Sequence, residues 1–411
     1  MKLRPLSLSL VALASAVAAL PLLSPARAAS GKTVDVLLSV GKPEGSSGCQ
    51  PDSEGACDLV RVRIDLGSGT ATKVASLIGN GAVGASGSGI AEPAVSPDGT
   101  RVAWLERGGT GVQLWAKAFT ESGSHLVVKS GKEKNGGSGL KPEWPAWVSN
   151  DTLVFSSKTG SEDGTEQKTV FSVAVSDLAK PGEPKARAGS GVSGWSGVQD
   201  PAVFTGTSGT QMVTFGPVPG GSDEAYQLSL APIDASGKPT AAPLAIASGK
   251  NAAGKNIEGC HHPAWNASGD QILCMVHRPS EGVGGMSTKL LYTYARDAAG
   301  AWSLAGRAFE PVTPEAAGLS VASQLSESAG CTVLSYKYAQ YCDSNDWIVT
   351  TLYCSKEGNA SGRGAVIGAS RVLLIGTKPV RYLDVTGMVE ASQGVKAGTL
   401  SSFTGTCRAV N

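Results

Sequence analysis

The chain has 411 residues, among them 54 glycines and 22 prolines, and its 35 basic residues balance 34 acidic ones. Near-neutrality gives no basis for nucleic acid or an anionic membrane as a partner. The glycines stand between apolar runs as turn punctuation, which argues against low complexity and for a folded, turn-rich, all-β chain.

The first 28 residues read as a secretory signal. Lys2 and Arg4 supply the positive start, Leu6–Leu23 the apolar run, and Ala26-Arg27-Ala28 an A-x-A cleavage site. No later stretch is apolar enough to span a bilayer as a helix. The expected location is therefore periplasmic or secreted, with residues 29–411 as a single domain.

Val34–Val40 is a continuous apolar strand. Leu59–Leu66 alternates Val60, Val62, Ile64 and Leu66 with Arg61, Arg63 and Asp65, the period of a strand with one wetter face. Lys73–Ile78 is a third short strand. A repeat then begins. Glu92-Pro93-Ala94-Val95 recurs as Trp144-Pro145-Ala146-Trp147, Asp200-Pro201-Ala202-Val203 and His262-Pro263-Ala264-Trp265, at spacings of 52 to 62 residues. Each copy is followed by a turn, an apolar strand, a glycine- or charge-rich loop and an alternating strand. The sharpest turn is Ser96-Pro97-Asp98-Gly99, where Pro97 presets φ and Gly99 takes the positive-φ position.

Four strands per copy at a period near 50, with almost no helix-period stretch, predict a β-propeller. A degraded copy spans residues 331–386, with Ser344-Asn345-Asp346 as its turn and Trp347–Tyr353 as its apolar strand. The first region lacks a Pro-Ala strand, which Thr399–Val410 supplies by joining the two ends of the domain. The count is six four-stranded antiparallel blades, at residues 33–80 plus 399–410, 91–135, 142–190, 198–248, 260–312 and 331–386.

The segment Pro93-Ala94-Val95-Ser96-Pro97-Asp98-Gly99 resembles the WD-like Pro-Asp repeat of the TolB type. Pro263, Trp265, Ser268 and Gly269, and Pro145, Trp147, Ser149 and Asp151, match it in part. The resemblance covers most of residues 90–300. It implies a six-bladed propeller of the envelope or exterior that serves as a protein-binding platform. The α/β domain that precedes the TolB propeller has no counterpart between the cleavage site and the first blade, so the resemblance concerns blades and not the Tol system.

Eight cysteines follow the signal: Cys49, Cys57, Cys260, Cys274, Cys331, Cys342, Cys354 and Cys407. An even number in an oxidising compartment favours disulfides, with connectivity left open by spacing. Cys49–Cys57 is the most local pair, and a bond from Cys407 to Cys331 or Cys342 would lock the ring. Cys260, His261, His262, Cys274 and His277 have the residue types of a zinc set. Export and the near cross-strand spacing of Cys260 and Cys274 favour a disulfide with incidental histidines.

The residues before each Pro-Ala, Glu92, Trp144, Asp200 and His262, are expected near a mouth of the central channel. There they would bind a peptide end, a sugar or a cation. Glu92 is the residue of the opening repeat expected to contribute. No G-x-S-x-G or H-E-x-x-H motif is present, and the glycine-rich runs lack the Lys-Ser/Thr of a phosphate loop. The leading reading is a non-catalytic, monomeric binding scaffold. It needs no cofactor or metal and takes another envelope or extracellular protein, a peptide or a glycan. Besides the channel mouth it would use the long loops Gly108–Gly111, Lys158–Gln167, Gly216–Asp223 and Arg278–Met286. The competing reading is a carbohydrate-active or hydrolytic propeller with Glu92, Asp200 and His262 at its centre.

Overall fold

Among the described residues, alternating and continuous apolar runs fold into 24 strands and a short helix, and the strands form six four-stranded antiparallel sheets. The computed structural model describes residues 33–40, 58–77, 89–108, 111–130, 139–160, 166–189, 198–217, 226–246, 258–278, 288–308, 333–342, 345–355, 371–378, 380–394 and 403–410.

Blade 1 contains β1 (Thr33–Val40), β2 (Asp58–Asp65) and β3 (Thr70–Ser76). Blade 2 is β4 (Gly89–Val95), β5 (Arg101–Gly108), β6 (Gly111–Ala118) and β7 (His125–Val128). Blade 3 is β8 (Pro142–Ser149), β9 (Thr152–Gly160), β10 (Glu166–Ala174) and β11 (Lys185–Gly189). Blade 4 is β12 (Gln199–Gly206), β13 (Gly209–Pro217), β14 (Tyr226–Ile233) and β15 (Leu244–Ile246). Blade 5 is β16 (Glu258–Trp265), β17 (Gln271–Arg278), β18 (Thr288–Arg296) and β19 (Trp302–Arg307). Blade 6 is β20 (Val333–Tyr341), β21 (Trp347–Ser355), β22 (Arg371–Thr377) and β23 (Val380–Asp384). Helix α1 (Thr386–Ser392) follows, then β24 (Phe403–Val410).

Strand β24 pairs with β1 without interruption from Thr33↔Val410 to Val40↔Phe403, so blade 1 is built from both ends of the domain, as expected. Its Cys407 is joined to Cys342 of blade 6, with Cα atoms 4.6 Å apart. Of the two partners expected for Cys407, the bond goes to Cys342 and ties the last blade to the closing strand. Cys260 and Cys274 form a second disulfide between β16 and β17. Cys49, Cys57 and Cys331, and the side chain of Cys354, lie outside the described residues.

The apolar second strands are buried on both faces because each blade is sandwiched between neighbours. Val102, Ala103, Trp104 and Leu105 of β5 are fully buried, as are Leu153, Val154 and Phe155 of β9. Six apolar clusters follow, one at each blade interface. Closure is therefore a property of the core as well as of the β24–β1 ladder. Helix α1, which the sequence reading did not anticipate, seals the junction of blades 6 and 1: Val389 and Val385 pack with Val62, Ile64 and Val372.

The Ser96–Gly99 turn is held as its composition predicts. The Gly99 amide donates to the Ser96 carbonyl (2.8 Å), and Gly99 has φ of 73°. The Asp98 carboxylate accepts from Ser96 Oγ (2.6 Å), the Thr100 amide (3.0 Å) and Thr100 Oγ1 (2.8 Å), which hold it below the usual carboxylate range despite desolvation. Asn150 of the next blade accepts the Asp98 amide (3.1 Å), so the turn also joins blades.

Candidate functional site

Five of the six innermost strands carry the same irregularity. In β4 the register jumps between Ala91 and Ala94, so that Glu92 and Pro93 face Trp104 alone. The same two-against-one bulge places Trp144-Pro145 in β8, Asp200-Pro201 in β12, His262-Pro263 in β16 and Tyr338-Ala339 in β20. Proline fits at the second bulge position because no ladder donor is needed there. The first residue is in every case left-handed: Glu92, Trp144, Asp200, His262 and Tyr338 have φ of 54°, 52°, 50°, 51° and 56°. They are the only non-glycine residues with positive φ among the described residues. An L-residue there costs about 1–2 kcal/mol where glycine would cost little. Five strained, non-glycine positions converging on one channel are a concentration of strain expected at a site of use.

The bulge residues lie mid-strand, inside the channel and not at a rim. Glu92 is 5% exposed, Asp200 4% and Tyr338 7%. The sequence placed four of the five. Tyr338 was missed because alanine, not proline, follows it. The usable signal was distance: Tyr338 precedes Cys342 by four residues, as Glu92 precedes Ser96, and the Cys342 amide bonds the Trp347 carbonyl as the Ser96 amide bonds that of Arg101.

Two of the five are engaged in joining blades. Glu92 Oε2 accepts the Trp144 amide (2.7 Å), and Asp200 Oδ2 accepts the His262 amide (3.3 Å). Three residues on, indoles reach back over the same interfaces: Trp147 Nε1 donates to the Ala94 carbonyl (3.0 Å), and Trp265 Nε1 to that of Ala202 (3.1 Å). The alternation of acid-Pro-Ala-Val with Trp- or His-Pro-Ala-Trp is thus a pair of reciprocal staples, between blades 2 and 3 and between blades 4 and 5.

The other three rings meet in the channel. Trp144 and His262 have centroids 3.7 Å apart, Trp144 and Tyr338 5.2 Å, and His262 and Tyr338 5.4 Å. Above them lies a cavity of about 420 Å³, running from Trp144, Asp200, His262 and Tyr338 to the turns that follow the innermost strands. Glu92 does not line it. The four long loops join second to third strands, at the blade ends opposite those turns, and most of their residues lie outside the described ones.

Asp200 is the electrostatic centre of the cavity. His262 Nδ1 lies 3.1 Å from its Oδ2. Burial pushes the carboxyl up to about 7, against the opposing pull of the Lys168 charge and the His262 amide. Lys168 is itself held by Glu143 (3.1 Å) and donates to Gln199 Oε1. The cysteine–histidine group expected nearby does not assemble as a metal set. Cys260 and Cys274 are spent on each other, His261 packs on Phe215 at 4.4 Å, and the His277 side chain lies outside the described residues.

No family model matches the sequence, and no curated protein does. Solved structures of similar fold include TolB from Acinetobacter baumannii, at 11% identity and a TM-score of 0.47 over 91% of this chain. The alignment spans 66% of that protein. A thermostable family-43 glycoside hydrolase aligns at 10% identity and 0.43, over 72% of this chain and 94% of its own. An oligogalacturonate lyase in complex with manganese aligns at 11% and 0.40, over 85% and 78%. The six four-stranded sheets make the chain a six-bladed β-propeller, and no property of these structures is carried over to it.

Proposed function

We propose that the protein is an exported binding propeller that captures a projecting part of a partner molecule in the central cavity. The observation that carries this reading is the set of five bulges. They hold costly left-handed backbone to bring Trp144, Asp200, His262 and Tyr338 together at one end of a 420 Å³ cavity. That volume falls within the range of small-ligand sites, about 300–1,000 Å³. The disulfides Cys260–Cys274 and Cys342–Cys407 favour an oxidising compartment.

The enzymatic alternative draws on the Asp200–His262 pair, whose carboxyl sits near neutrality as a general acid or base would. Glycoside hydrolysis ordinarily takes two carboxylates flanking the bond. Asp200 is the one carboxylate lining the cavity among the described residues, and Glu92 is engaged with the Trp144 amide. The arrangement therefore favours binding over turnover.

Replacing Trp144 by Gly separates a ring kept for a ligand from one kept for the fold. Glycine relieves the left-handed strain by about 1 kcal/mol and keeps the amide that Glu92 accepts, offsetting part of the lost packing. W144G is expected to melt close to the wild type and to lose at least tenfold in capture of its partner from an envelope or culture extract. Unimpaired capture by a folded W144G would refute the cavity reading.

A further inference from the structure

We propose that the cavity takes an organic cation, an ammonium group such as a lysine side chain or an amine terminus, seated against Asp200 and beside the rings of Trp144 and Tyr338. The inference rests on the binding reading above and names the ligand class.

The lining is acidic. No Lys or Arg lines the cavity, and Asp200 is its one carboxylate among the described residues. Its Oδ2 serves the His262 amide and faces His262 Nδ1, while Oδ1 has no hydrogen-bond partner among the described residues. A carboxylate 4% exposed with one oxygen left over is costly to ionise unless a cation joins it. The rings of Trp144 and Tyr338 line the cavity beside it. Ring faces attract ammonium groups, more strongly where the site is desolvated. A hard divalent ion is poorly served by the same lining, since it takes about six to eight oxygen ligands.

The charged and titratable groups acting on Asp200 are His262 from β16 and Lys168 from β10, with Lys168 paired to Glu143 of β8, and Tyr338 of β20 lines the same cavity beside His262. With its carboxyl pushed up to about 7, Asp200 is about half protonated at neutral pH before a cation joins it. A cation draws that proton off, so its affinity rises with pH. Ionisation going from one part in ten to nine in ten predicts a roughly ninefold gain between pH 6 and pH 8.

The test is calorimetric titration of the disulfide-intact protein with Nα-acetyl-Nε-trimethyl-lysine amide and with its neutral counterpart, Nα-acetyl-norleucine amide. The cation is expected to bind at least tenfold more tightly, with that pH dependence, and to lose at least tenfold in Asp200→Asn. Equal binding of the two probes, no binding of the cation, or pH-independent affinity would overturn the proposal. These comparisons use the unmodified protein, so they decide the matter even if the variant folds poorly. If the cation fails while W144G still abolishes partner capture, the ligand class falls and the cavity reading stands. If W144G also captures normally, both fall.

Discussion

Asp200→Asn is expected to make the protein more stable than the wild type above pH 7 and to remove most of a pH slope between about 4 and 7. The sign follows from where the proton sits. In the unfolded chain Asp200 titrates at its ordinary 3.8, and in the fold burial raises it to about 7. Below pH 4 both states hold the proton and the group contributes no pH dependence. Between 4 and 7 the folded state keeps a proton that the unfolded chain has released, so stability falls as pH rises. Above 7 both have lost it and the penalty is constant, of order 4 kcal/mol for a carboxyl raised from 3.8 to about 7. Asn is neutral throughout and keeps an oxygen for the His262 amide. Urea denaturation at pH 5 and pH 8 measures the effect as a difference between variant and wild type. That difference isolates Asp200 from Asp98, Asp234 and Asp270, whose carboxyls are lowered and titrate in a more acidic window. Parallel stability profiles for the two proteins would show that Asp200 does not titrate as its burial requires.

The second large effect is at the seam. Replacing both Cys342 and Cys407 by Ala is expected to cost about 3–5 kcal/mol. The bond closes a separation of 65 residues, for which chain entropy alone gives about 4 kcal/mol. Both cysteines also sit in the core shared by blades 6 and 1, so truncation removes packing as well. The location of the damage is the sharper readout. Amides in β24 and β1 are expected to lose hydrogen-exchange protection first, because β24 otherwise holds through its ladder to β1 and its contacts at the seam. By contrast, removing Cys260–Cys274, at a separation of 14, is expected to loosen a hairpin inside blade 5 and leave closure intact. Unchanged melting and full protection of β24 in the Cys342/Cys407 variant would contradict this account of closure.

Much of the architecture was legible because it is written in local chemistry. Pro-Ala strands, Ser-Pro-Asp-Gly-type turns and doubly apolar second strands repeat at a period that one blade can fill. The chain-joining strand followed from a missing first strand at one end and a spare one at the other. The site was legible only in part. The residues before Pro-Ala could be named, but their left-handed backbone could not, because no glycine marks it and the strain is supported from outside the strand. The amide of Trp144 is held by a carboxylate 52 residues earlier, and that of His262 by one 62 residues earlier. Glu92 therefore looked like a ligand-facing acid when read within its own blade, and the neighbouring blade reveals its place in a staple. Tyr338 escaped for the opposite reason: its blade keeps the geometry and has lost the proline. The N-cap residue of helix α1 is Val385, which has no capping side chain, the Thr386 amide going instead to Asp384 Oδ1 (2.9 Å), and its apolar contacts lie across the seam, so its sequence announces little.

A partner group held in the cavity stands beside the turns that follow the innermost strands. Thr205 stands exposed at the rim of that cavity, and Leu244, 53% exposed, lies on the outermost strand of the same blade. A photoreactive benzophenone side chain placed at each position in turn, irradiated with native extract and mapped by mass spectrometry, tests the claim directly. The account predicts a discrete adduct from position 205, suppressed in W144G, and none of that identity from position 244. Adducts from position 244 alone, or the same adduct from both, would contradict it.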